Sequence, residues 1–117
     1  MKINENNAGL AAEKLAADYL VQHGMKMLEQ NYHCRFGEID LIMLDHKTKV
    51  FVEVRLRTNP AFGGAATSIT LAKQQKIIAT AQHYLQQHAD CPCRFDVIVM
   101  SQADAKHIVW IRNAFDA

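Results

Sequence analysis

From position 50 to 57 the chain reads VFVEVRLR, and this strict period of two restricts the backbone more than any other stretch. Val50, Val52, Val54 and Leu56 fall on one side of an extended strand, with Phe51, Glu53, Arg55 and Arg57 on the other. Just upstream, EIDLIML places Ile39, Leu41 and Met43 on one side and Glu38, Asp40, Ile42 and Leu44 on the other. DHKTK between them is a turn, so the two runs are expected to pair as a hairpin.

The flanking segments change period. Leu10, Ala12, Leu15, Ala16, Tyr19 and Leu20 recur at helical spacing between Ala8 and His23, and Gly24 stands where a glycine ends a helix. Residues 25 to 32 suit a short strand. TNPAFGGAATS, with Pro60 and Gly63-Gly64, is a loop that hands over to a helix capped by Ser68 or Thr70. That helix runs to about His88 and turns Ala72, Ile77, Ile78, Ala81, Tyr84 and Leu85 toward the core. RFDVIVM and HIVWIR are two last strands around the polar turn SQADAK. The order of helix, three strands, helix and two strands predicts an α/β fold, a mixed sheet with helices packed on it.

A chain of 117 residues, half of them hydrophobic, suits one domain with one core spanning residues 1–117. The formal net charge of +1 means that nucleic-acid binding would rest on a local basic patch. With no signal-like apolar stretch and no run long enough to span a bilayer, the expected location is cytoplasmic. Cys34, Cys91 and Cys93 make an odd set without the paired spacing of a zinc site, so incidental thiols are the expectation.

The acidic residues of the hairpin carry the functional reading. Glu53 and Arg55 leave the same face of one strand, and a paired strand can bring Asp40 beside them. Glu13 sits at the margin of the apolar face of the first helix and can aim at the same place. Carboxylates with a cation nearby suit a hard divalent cation and phosphodiester hydrolysis; alternating charges on a strand also make an ordinary solvated face with ion pairs. Glu38 is expected to form an ion pair, and Arg94 with Asp96 a structural pair. Arg57, Lys73 and Lys76 can extend a phosphate-contacting surface.

GLAAEKLAADYL, NYHCRFGEIDLIMLD, VFVEVRLR, the FGG loop, LAKQQKIIATAQHYL and RFDVIVM together resemble the YraN-type family of small bacterial proteins. That family is similar to Holliday-junction resolvases and restriction-endonuclease-like nucleases of the PD-(D/E)XK class. Their pattern is an acid on the first helix, an Asp on one strand and Glu-x-Lys on the next. The resemblance implies a restriction-endonuclease-like mixed sheet flanked by helices, Mg²⁺ or Mn²⁺ as cofactor, DNA as substrate, branched forms included, and a homodimer. It matches Glu13 to the helix acid, Asp40 to the strand Asp and Glu53 to the Glu of Glu-x-Lys. Asp40 and Glu53 then ligate the metal, Glu13 orients water or a second ion, and Arg55 stands where the pattern has Lys. A guanidinium can clamp phosphate but cannot act as a base. Three readings are left: a metal-dependent endonuclease, a catalytically silent nucleic-acid-binding module of the same fold, and a protein-interaction domain in which the acidic cluster is a solvated face.

Overall fold

The alternating stretch forms the central strand of a five-stranded sheet ordered β1-β2-β3-β4-β5. The computed structural model describes residues 5–57, 69–88, 91–101 and 105–117. The elements are α1 (Glu5–Gln22), β1 (Lys26–Cys34), β2 (Gly37–Asp45), β3 (Thr48–Leu56), α2 (Leu71–Gln86), β4 (Cys93–Met100), a 3₁₀ turn (Ala105–His107) and β5 (Ile108–Phe115). Neighbouring strands are antiparallel except β3 and β4, which the α2 crossover makes parallel. The fold is α/β, a mixed sheet flanked by two helices. The Gly63-Gly64 loop, Ser68 and residues 102–104 of SQADAK lie outside the described residues.

Each helix covers one face of the sheet. On the α1 face, Ala12, Ala16, Ala17 and Leu20 pack on Leu41, Met43, Val50, Val52, Ile98 and Met100. The alanines end at Cβ and let the helix lie close over the valines. On the other face, Ile77, Ala81 and Tyr84 of α2 pack on Ile39, Ile42, Phe51 and Phe95. Two apolar positions expected in the core lie outside it: Leu10 is 56% exposed and Ala72 is also exposed, both toward the N-terminal ends of their helices. Thr80 is buried instead, its hydroxyl donating to the Lys76 carbonyl at 2.8 Å.

The helix ends follow the sequence signals. Gly24, at φ 93°, lets its own amide donate to Val21 O and that of Met25 to Leu20 O, which satisfies carbonyls left open at the end of α1. Thr70 caps α2, its side chain accepting from the Lys73 amide.

At the far edge the β4–β5 register slips between Phe95 and Val97. Asp96, 1% exposed, fills that slip by accepting from the Asn113 amide at 2.9 Å, Trp110 Nε1 at 3.0 Å and Arg94 Nε at 3.1 Å. Arg94 Nη1 also donates to Asp45 at 2.9 Å, and His46 first, then Arg94, hold that carboxyl below the usual range. The Arg94 and Asp96 pair is thus structural. Cys34, Cys91 and Cys93 are free thiols. No described helix is long and apolar enough to cross a membrane.

Candidate active site

The β2–β3 ladder ends at Leu41 opposite Val52; one step further, Asp40 comes opposite Glu53. Lys49 and Arg57 send their amides toward β4, so the even-numbered Val54 sends its own toward β2. There it meets the side chain of Asp40, donating to Oδ2 at 2.8 Å. A carboxylate is thus wedged where the two strands part.

That wedge corrects the sequence reading. Simple alternation groups Ile39 with Leu41 and Met43, yet Ile39 packs with Ile42 and Phe51 on the α2 face. The strand loses its alternation at Asp40, where β3 stops pairing with it. Because Asp40 occupies the parting rather than either face, it meets acids from both. Glu13 reaches it from α1 and is hydrogen-bonded to Asp40 and Asn31; Glu53 reaches it from β3.

The electrostatics follow from this crowding. Burial, and then the charge of Glu53, push the Asp40 carboxyl up to about 8, and the protonated carboxyl is hydrogen-bonded to Glu53. Burial also raises Glu13, against the hydrogen bonds from Asn31 and Asp40. Glu53 is 7% exposed and is met by two cations, Arg55 Nη1 at 3.3 Å and Lys73 Nζ at 3.5 Å.

Glu13, Asp40, Glu53 and Arg55 therefore come together as the hairpin and helix patterns suggest. Lys73 joins them from α2 by an ion pair that its place in the sequence does not announce. Arg57 stands apart, its guanidinium donating to the Leu56 carbonyl. Lys76 is exposed one helical turn beyond Lys73. Glu38 is exposed and acts on Glu13 by repulsion, so the structure gives it no part in the cluster beyond its charge.

Asn31 is a site residue that periodicity misses. It lies on β1 opposite Asp40, holds φ at 51° and bonds Glu13. The available signal is its residue type: asparagine is poor in strands and tolerates left-handed backbone. A cleft of about 300 Å³ opens beside Glu13, lined by Leu10, Lys14, Ala17, Asp18, Gln30 and Asn31.

The span from Ala12 to Met100, which holds every one of these acids, matches the model of the uncharacterised protein family UPF0102. The chain belongs to the UPF0102 family. A UPF0102 protein of Methylobacillus flagellatus is 56% identical over 106 residues, 91% of this chain and 94% of its own. UPF0102 protein NE0719 of Nitrosomonas europaea is 57% identical over 111 residues, 94% of each chain. One from Psychromonas ingrahamii is 52% identical over 94% of this chain and 90% of its own. The membership bears out the resemblance, read from the motifs, to a family of small bacterial proteins.

In this UPF0102 chain, no group of three or more His, Cys, Asp or Glu side chains among the described residues is gathered as a ready metal cage. The donor set fits a different kind of cation. Asp40 and Glu53 are adjacent hard oxygen donors, hydrogen-bonded to each other. Mg²⁺ keeps several waters and asks for only one or two carboxylates beside substrate phosphate.

Proposed function

We propose that this UPF0102 chain is a metal-dependent endonuclease that hydrolyses phosphodiester bonds in DNA, of the Holliday-junction-resolvase-like type. The observation that carries the reading is the wedging of Asp40 between β2 and β3, against Glu53 and within reach of Glu13. Keeping carboxylates this close and this dry is costly, and a divalent cation in place of the proton on Asp40 would offset the cost. When bound, Mg²⁺ or Mn²⁺ supplies Lewis acidity toward the phosphate and a more acidic water.

The chain's own residues do the rest. Asp40, once it has lost its proton, and Glu53 would hold the metal, with the Val54 amide fixing the orientation of Asp40. Glu13, steadied by Asn31, accepts a hydrogen bond from the attacking water. Arg55 clamps a non-bridging oxygen of the phosphodiester and offsets charge that develops there. Lys73 supplies at Glu53 the amine that the Glu-x-Lys pattern expects two residues along β3. A four-way DNA junction presents two equivalent strands, and two copies of the chain would serve both.

A second reading rests on the same contacts. With Arg55 and Lys73 both on Glu53, the acid is already neutralised, as it would be in a module that binds nucleic acid without cutting it. The test is cleavage of labelled single-stranded, duplex and four-way-junction DNA in Mg²⁺ or Mn²⁺. The nuclease reading expects cleavage that Glu53→Ala lowers at least about a hundredfold and Arg55→Lys retains. Salt-sensitive binding without cleavage by either form supports the silent module; neither binding nor cleavage overturns both.

A further inference from the structure

A line of groups leads away from the carboxylates along α2. Lys73, Lys76, Thr80 and His83 follow one another at spacings of three and four, so they share one stripe of the helix, about 15 Å long. Lys73 touches Glu53 at its start. Midway along it Gly37, where β2 begins, lies against the helix. A Cβ at Gly37 would come to 3.1 Å from Thr80 Oγ1 and 3.7 Å from Lys76 Cβ, so the neighbours would have to give by a few tenths of an ångström.

The neighbour of that glycine is Phe36, which is 41% exposed although it sits in a firm setting. The His83 ring meets it with centroids 6.1 Å apart and planes at 63°. His83 is itself held by the Tyr32 hydroxyl, 2.6 Å from its Nδ1. The Arg35 guanidinium lies 4.8 Å from the centre of the Phe36 ring. An accessible aromatic ring with a guanidinium beside it, at the end of a lysine stripe, combines the two elements that hold single strands: cations for phosphates and a flat surface for bases.

We propose that Arg35, Phe36 and His83 form a stacking subsite for an unpaired nucleobase, and that Lys76 contacts the phosphates between that base and the carboxylate cluster. The proposal deepens the nuclease reading and rests on it. It names the substrate class as DNA with an unpaired segment adjoining the cleaved bond. Duplex DNA alone would leave the ring idle, because its bases are already stacked on one another.

The test uses the full chain in Ca²⁺ with blunt duplexes and with duplexes bearing a short single-stranded tail that contains 2-aminopurine. The expected result is tighter binding of the tailed DNA, quenched 2-aminopurine fluorescence, and about a tenfold loss of tailed-DNA affinity in Phe36→Ala. Blunt-duplex affinity stays unchanged, and Phe36→Tyr keeps both affinity and quenching. Equal losses on the two substrates, or no loss on the tailed one, overturn the subsite while leaving the nuclease reading standing. Absence of salt-sensitive binding to either DNA overturns that reading and the subsite with it.

Discussion

Asp40 gives up solvent on folding and gains a second carboxylate as a neighbour, and both changes disfavour its charged form. Its pKa rises from the ordinary 3.8 to about 8, so the folded chain holds the proton more tightly than the unfolded one. Stability therefore falls as pH rises through that window. In the metal-free protein, Asp40→Asn can keep the Val54 hydrogen bond and removes the charge. It should be more stable than wild type at pH 8 by a few kcal/mol, with the gap closing toward pH 5, read by calorimetry in chelator. Mn²⁺ should raise the melting temperature of the wild type at pH 8 and not that of the variant. A second prediction concerns the amine at Glu53. Lys73→Met should lower cleavage by on the order of a hundredfold, with Arg55 unable to compensate because a guanidinium stays protonated near neutral pH and cannot act as a base. Cleavage at the wild-type rate would return Lys73 to phosphate binding alone.

Among the elements, β3 is paired on both sides, whereas β5 is paired with β4 alone and is held in addition by a side chain. Asp96 answers the Asn113 amide, the Trp110 indole and Arg94 where the β4–β5 register slips. Asp96→Ala leaves the indole and the amide without that acceptor and removes a partner from Arg94. The expected loss is about 3–5 kcal/mol in urea unfolding, with a red shift of Trp110 emission as β5 loosens. A variant within about 1 kcal/mol of wild type would mean that solvent replaces the carboxylate at no cost. Asp40 and Asp96 thus occupy comparable gaps with different outcomes. Asp96 has donors around it, while Asp40 has one amide and other acids. That difference makes one carboxylate a staple and the other a candidate ligand.

For the molecule as a whole, a formal net charge of +1 gives no general attraction for DNA, so affinity has to come from where the cations stand. Lys76 is exposed on the stripe between the carboxylates and Phe36. Lys76→Ala should reduce the slope of log affinity against log salt by about one and weaken binding similarly for all DNA sequences. An unchanged slope would move the phosphate path elsewhere, with Arg57 a poorer candidate because its guanidinium is turned onto its own backbone.

The local rules of the chain were legible in its sequence. Period two named β2 and β3, the helical spacing with Gly24 and Thr70 bounded α1 and α2, and the order of elements implied a mixed sheet. Glu13, Asp40, Glu53 and Arg55 could be singled out because charge on otherwise apolar elements is a local signal. Their convergence was not local. Where β2 and β3 part, which face Ile39 takes, that Lys73 crosses from α2 to Glu53, and that Asn31 turns left-handed beneath Glu13 all depend on contacts between distant segments. Alternation assumes a strand paired along its whole length. Tertiary packing ends the pairing at Leu41 and Val52, and the gap it leaves is where the chain gathers its acids.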